Sequence, residues 1–251
     1  RAAPAAGDVV ARIWTTQTWQ IVHDITDSGA GGCDAIGFTP DGQYLIRVVD
    51  RVGSPGENLI VYGVGAWQPI WGLQIESFSP TALAVSPDGE LAAIGGTYLR
   101  PLTDAEKLIK VIPQMKLEPQ IRIVDMRQRK VVRVIQSEAM GPMAWSPDGT
   151  RIAVAGNQYV EIFDAHTGER LVHEKFPNSG GMTIRYTPDG RYLIESSANA
   201  RGTGEGVEIW DGQRKNLLQK MPDNIWSLAV SRDGKYFATG DTGKTTIWQF
   251  K

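Results

Sequence analysis

One cysteine and three histidines in 251 residues leave little room for thiol or imidazole chemistry. The lone Cys33 excludes an internal disulfide and any metal site built on paired cysteines. It leaves the compartment open, with the cytoplasm slightly favoured over a secreted or periplasmic setting. No charge of one sign dominates: 26 Lys and Arg stand against 28 Asp and Glu, a formal net charge of −2. Nothing therefore draws the chain as a whole to nucleic acid or to an anionic membrane. No apolar run approaches the roughly 20 residues a membrane span requires, so no membrane insertion is expected. The opening RAAPAAGD lacks an apolar core and does not read as a signal peptide. Motifs that carry chemistry are also missing: no C-x-x-C-H, no H-E-x-x-H, no Walker A loop and no G-x-S-x-G. No cofactor is expected.

What the chain has instead is glycine, 28 of them, and a repeat. FTPDGQYLI begins at Phe38, VSPDGELAA at Val85, WSPDGTRIA at Trp145, YTPDGRYLI at Tyr186 and VSRDGKYFA at Val230. The turn aspartates Asp41, Asp88, Asp148, Asp189 and Asp233 lie 47, 60, 41 and 44 residues apart. Each Asp-Gly sits between two runs of strand composition, a strong hairpin signal. Ahead of each turn apolar residues alternate, as in Ile36 and Phe38 or Leu83 and Val85, the period of two of a strand. A second strand follows the turn (YLIRV, LAAIG, RIAVA, YLIES, YFATG). A third closes on IVD, IFD, IWD or IWQ, and a fourth follows a polar turn. Each unit therefore has four antiparallel strands, a to d. No unit can bury both faces alone, so the units must stack around an axis.

SPDG after strand a and IWD or IFD closing strand c resemble the WD40-repeat family of β-propellers, over nearly the whole chain. TolB-like propellers share SPDG and are the nearest alternative. The resemblance implies an all-β propeller in one domain, 1–251, that binds a protein or peptide as a non-catalytic scaffold or sensor module. The alternative is a ligand- or cofactor-binding propeller enzyme using the central channel. The Gly-His pair of WD40 repeats is missing, and the strand b positions its histidine would meet are Arg47, Ile94, Val154, Glu195 and Thr239. Apolar packing is therefore expected to hold the blades. Arg47 and Glu195 are expected to pair with other blades or reach the channel.

The ends do not match. Residues 1–25 align with strands c and d only, and 26–251 give four full repeats and a final a-b-c. If Gln20 to Ile25 closed the last blade, ARIW (Ala11–Trp14) would be left over. The expectation is therefore part of a six- or seven-bladed propeller, with the missing strands upstream or on another polypeptide.

His23 and His173 occupy the same place on strands d of separate units and cannot share a metal; His166 sits in a c–d turn. The basic turn DMRQRK (Asp125 to Lys130) could hold a phosphate or an acidic partner. The a–b turns are uniformly short, whereas the b–c loops vary, the longest running from Gly96 to Pro119. Variable loops on a rigid scaffold place recognition on the b–c/d–a face. Within that loop TDAEKLIKVIPQM (Thr103 to Met115) has a capping box and an apolar stripe at i, i+3, i+4 and i+7, which predicts a short helix. Candidate partner-binding residues are Leu108, Ile109, Met115 and Arg201 on the loops, and Asp34, Met182, Asn224 and Trp226 at the channel mouth, beside Met143.

Overall fold

The computed structural model describes residues 8–27, 33–51, 56–103, 115–156, 158–175, 179–199, 204–221, 225, 227–240 and 243–250. It is an all-β propeller with no helix among the described residues. A two-stranded unit comes first, β1 (Asp8–Trp14) with β2 (Ile21–Asp27). Blade 1 is β3 (Ala35–Phe38), β4 (Tyr44–Val48), β5 (Leu59–Gly63) and β6 (Pro69–Leu73). Blade 2 is β7 (Phe78–Val85), β8 (Leu91–Pro101), β9 (Met115–Asp125) and β10 (Lys130–Gln136). Blade 3 is β11 (Met143–Trp145), β12 (Arg151–Gly156), β13 (Tyr159–Asp164) and β14 (Arg170–Lys175). Blade 4 is β15 (Ser179–Tyr186), β16 (Tyr192–Asn199), β17 (Gly204–Asp211) and β18 (Leu217–Met221). Three strands make the last sheet, β19 (Ser227–Val230), β20 (Tyr236–Gly240) and β21 (Thr245–Gln249). All neighbours are antiparallel and in chain order.

The stacking demanded by the repeat is visible in the cores, each of which lies between two units. Ile46, Val48 and Val61 of blade 1 pack on Ala92, Ile94 and Val124 of blade 2. Ile121 and Ile123 of blade 2 pack on Trp145, Ile152 and Phe163 of blade 3. Ala153, Val160 and Ile162 meet Ile184 and Leu193 across the next interface, and Val207 and Ile209 meet Leu228 and Phe237 across the one after. Ile25 of β2 packs on Leu45, Val49 and Tyr62 of blade 1. Each fully buried aliphatic side chain contributes about 1.5–3 kcal/mol, and only the neighbour makes that burial possible.

The five a–b turns share one architecture. The hydroxyls of Thr39, Ser86, Ser146, Thr187 and Ser231 donate to the aspartate two residues on at 2.5–2.7 Å. The same aspartates accept the backbone N–H of Gln43, Glu90, Thr150, Arg191 and Lys235. The glycine that follows each aspartate has φ between 68° and 75°, where a side chain would be strained. The residues closing strand c work alike: Asp125, Asp164 and Asp211 accept backbone N–H groups of their c–d turns.

Three expectations need correction. The segment Gly96 to Pro119 is not all loop: β8 runs to Pro101 and β9 starts at Met115, so Met115 opens a strand and does not close a helix. Pro119 is tolerated there because its carbonyl accepts from Ser137 N, so its nitrogen also faces away from β8 and breaks no β8–β9 bond. The predicted helix itself, with Leu108 and Ile109, falls on residues 104–114, outside the described residues. Second, Met143 does not line an open mouth; it is 4% exposed and belongs to the core between blades 2 and 3. Third, blade cohesion is not purely apolar. In the last sheet Trp248 Nε1 donates to Thr239 Oγ1 at 2.9 Å, a strand c to strand b bond that survives without the histidine. At the other end β2 pairs with β1, Ala11 opposite Ile25 and Trp14 opposite Ile21, and not with β21.

Candidate functional site

The rim formed by the b–c and d–a connections is where the blades differ most. The β8–β9 pairing continues for five rungs past the end of β10, from Thr97 opposite Pro119 to Pro101 opposite Met115. At about 3.4 Å per residue the outermost three rungs, beyond the end of β7 at Phe78–Tyr98, carry the ribbon roughly 10 Å above the blade. Arg100 pairs with Glu118 at 3.0 Å across the ribbon, and Lys116 approaches the same carboxylate. Leu117 is 60% exposed on it. Its root is braced by Arg122, whose guanidinium lies 5.3 Å from the Phe78 ring and 5.2 Å from the Tyr98 ring; burial lowers its pKa.

Below the ribbon, buried polar side chains hold the chain as it crosses between blades. Asn58 donates to the carbonyls of Ile75 and Phe78 and accepts from Ile75 N, fixing the passage from blade 1 to blade 2. Asp50 N donates to Asp34 Oδ2, and Ser79 Oγ donates to Asp50. Glu161, with a fully buried side chain, fixes the passage from blade 2 to blade 3: one oxygen accepts from Ser137 Oγ, Glu138 N and Ala139 N at 2.7–2.9 Å. Its other oxygen meets Arg170 at 2.8 Å and His173 Nδ1 at 3.0 Å. Burial opposes the charge on Glu161, but these hydrogen bonds outweigh it and hold the carboxyl below its ordinary range. Glu138, Glu161 and His173 have metal-ligating atoms close together, yet the Arg170 guanidinium sits on both carboxylates, so the cluster is an ion-pair clamp.

Glu195 is paired, but within its own blade and not with another blade as expected, through a residue the sequence did not single out. Arg214, in the c–d turn of blade 4, donates to Glu195 at 2.7 and 3.3 Å and also to Glu174 on β14 of blade 3. Its guanidinium lies 4.3 Å from the Trp210 ring. Burial pushes the Glu195 carboxyl up and Arg214 pulls it back. Arg47, 1% exposed, stands beside Cys33, whose thiol is pushed up by burial.

Of the candidate partner-binding residues, Asp34 is exposed on the rim, Met115 begins β9 and Met182 lies in β15. Leu108, Ile109, Arg201, Asn224 and Trp226 fall outside the described residues. Sequence reading missed Glu161 and Arg214. The available signal was an acidic residue in the middle of an apolar strand c, VEIFD.

Two clefts among the described residues open on the opposite rim, among a–b and c–d turns. One of about 440 Å³ lies between blades 3 and 4 beside Asp148, Arg151 and Arg191. Another of about 550 Å³ lies between blades 1 and 2 beside Trp71, Arg127 and Arg129.

This alternation of shared turns and stacked four-stranded sheets is matched by known proteins. Residues 120–251, more than half of the chain, match the family described as eukaryotic translation initiation factor eIF2A. The chain belongs to this eIF2A family. Among its relatives this family member is 26% identical over 172 residues to an uncharacterized WD repeat-containing protein of Synechocystis, covering 65% of the chain and 42% of that protein. It is 24% identical over 205 residues to eukaryotic translation initiation factor 3 subunit I of Lodderomyces elongisporus, covering 78% of the chain and 44% of that protein. The chain thus spans less than half the length of these relatives. Among solved structures the Dos1 propeller superposes with a TM-score of 0.66 at 14% identity, over 95% of the chain and 62% of the Dos1 chain, a likeness of fold. The WD-repeat propeller resemblance is therefore established, and an interaction scaffold is the general role its relatives support.

Proposed function

We propose that the chain is a non-catalytic scaffold that binds a protein or peptide on the b–c/d–a rim, as part of a larger assembly. The observation that carries this reading is the β8–β9 ribbon, which extends past its own blade and presents an exposed leucine where a partner can reach it. The relative named as a subunit of initiation factor 3 supports a place in a multi-protein assembly. The proposed contacts are Leu108, Ile109, Met115 and Arg201 on the b–c connections, with Asp34, Met182, Asn224 and Trp226 around the mouth. A second contact is the outer edge of β21, which pairs with no described strand and borders an apolar groove lined by Leu218, Met221, Trp248 and Phe250. A further propeller strand, from upstream or from another polypeptide, fits that edge.

The test is replacement of Leu108 and Ile109 by serine, followed by melting and by affinity capture from the native host. Unchanged melting with loss of a stoichiometric partner is the expected outcome. Loss of stability with capture intact would assign the segment to internal packing, and no change in either would end its role as a docking element.

A further inference from the structure

We propose that the opposite rim carries a second docking site, in the cleft between blades 1 and 2, for an extended acidic peptide in which an apolar side chain is flanked by carboxylates. This goes beyond the reading above, which concerns the other rim.

The cleft, about 550 Å³, is lined on the blade 1 side by Tyr44, Ile70 and Trp71 and on the blade 2 side by Met126, Arg127 and Arg129. Its apolar wall is accessible: Ile70 is 50% exposed, Tyr44 is 38% exposed and Trp71 is half-buried. Arg129 occupies the left-handed region at φ 55°, and its guanidinium lies 5.7 Å from the Trp71 ring. An aromatic ring, an aliphatic side chain and an arginine side by side are the composition of interface anchor points.

The charge on the cleft is directional. The turn DMRQRK supplies Arg127, Arg129 and Lys130, and neither Arg127 nor Arg129 makes an ion pair with a described residue. Asp125 in that turn is committed to Gln128, accepting its N–H at 2.6 Å and its Nε2 at 2.7 Å. Asp41, across the cleft, is committed to Thr39 Oγ1 at 2.5 Å and Gln43 N at 3.0 Å. Glu90 is the remaining carboxylate on the far wall. The c–d wall therefore presents two guanidiniums, Arg127 and Arg129, with no ion-pair partner among the described residues, and a guanidinium answers best to a planar carboxylate. An apolar residue on Trp71 and Ile70, with acidic neighbours at the c–d turn, satisfies both walls. A nucleic acid strand would instead carry its phosphates past Asp41 and Glu90.

The probe is a fluorescein-labelled nonapeptide with a central leucine and four glutamates on each side, titrated by fluorescence anisotropy. A lysine-for-glutamate counterpart and a ten-nucleotide oligouridine are titrated beside it. Saturable binding of the acidic peptide alone, weakened at least tenfold by the paired changes Arg127→Glu and Arg129→Glu, is the expected result. The affinity should fall several-fold as salt rises from about 50 to 500 mM. The paired changes Lys215→Glu and Arg232→Glu, on other turns of the same rim, should leave it unchanged. All four positions are exposed turn residues, and circular dichroism with a melting curve verifies folding. No saturable binding, equal binding of the lysine peptide, retention by the Arg127/Arg129 variant, or an equal loss in the Lys215/Arg232 variant would each overturn the proposal. Binding of the oligonucleotide in place of the peptide would also overturn it and make the cleft a nucleic-acid site.

Discussion

On one rim of the propeller five turns repeat the same hydroxyl-to-aspartate bond within 0.2 Å; on the other, the b–c connection of blade 3 takes two residues and that of blade 2 rises into a ribbon. The repeated a–b turns are closed by bonds between residues at most five apart, so each blade carries its own copy; Arg214, reaching from its c–d turn to Glu195 and to Glu174 of blade 3, is a long-range addition to that rim. The loop rim is stabilised by single buried side chains that reach between distant segments, Asn58 to Ile75 and Glu161 to Ser137. Local bonds tolerate divergence elsewhere. Long-range bonds fix one particular geometry, and variation between blades costs nothing if each interface has its own solution. A repeat built this way can keep its fold while its loop rim diverges toward a partner.

The comparison breaks most visibly if a long-range bond is removed. Glu195→Ala takes from Arg214, 3% exposed, the buried carboxylate it meets at 2.7 Å, while Glu174 still pairs with it. Stranding one member of a buried pair costs about 3–5 kcal/mol, and the remaining partner puts the expectation near the lower end. Urea unfolding measures it. Replacing both members by Leu and Met should cost less than the single change, because no buried charge is left behind. A Glu195→Ala variant within 0.5 kcal/mol of the parent would show that the buried pair contributes little to blade 4.

Two glycines sharpen the contrast, since Gly149 in a turn and Gly96 at the ribbon are needed for different reasons. Gly149 sits at φ 73° with nothing closer than 4.0 Å to an added Cβ, so Gly149→Ala pays only backbone strain, about 1–2 kcal/mol. Gly96 has no positive φ, but its Cβ would lie 2.2 Å from the carbonyl oxygen of Ser79, at the root of the ribbon. Gly96→Ala therefore forces β7 and β8 apart, with an expected loss of about 2–3 kcal/mol and a more open ribbon. Thermal unfolding of the two variants should rank Gly96→Ala as the more damaging. The reverse order would mean that the backbone at Gly96 shifts freely.

These differences also explain what was legible in the sequence. The five blades announced themselves because Asp-Gly and the alternation beside it are local, and local chemistry is readable without knowing what lies opposite. The β8–β9 ribbon is not legible as strand, because prolines at 101 and 119 disfavour one locally; that Pro119 aims its nitrogen away from β8 is a property of the register. Glu161 and Arg214 were missed for the same reason. An acidic residue in a strand and an arginine in a turn become a clamp only when a neighbouring segment arrives, and no window of sequence contains that segment. Asp34 could be placed at the rim because it immediately precedes strand a, whereas the partner it would meet is not encoded nearby.

The smallest expected effect belongs to a single bond of the turn rim and is seen through pH. The hydroxyl of Thr187, with help from Arg191 N and the Arg191 guanidinium, lowers the Asp189 pKa from 3.8 to about 2. A carboxylate whose folded pKa is depressed releases its proton more readily in the folded state, so its stabilisation is fully present above the unfolded value near 3.8 and is lost as pH falls through about 2. Asp41, Asp88, Asp148 and Asp233 are lowered by the same arrangement, and Glu161 on the loop rim shifts the same way, so the parent should lose stability in this acid window from several sites together. Asp189→Asn isolates one of them: the amide oxygen still accepts hydrogen bonds, but it carries no charge for Arg191 and does not titrate. The difference in melting temperature between parent and variant should be a degree or two at pH 6, shrink between pH 4 and 2, and be mostly gone by about pH 2. Because the group is exposed, added salt should narrow the gap at pH 6. A difference that persists unchanged at pH 2 would show that the carboxylate acts through packing and not through its charge.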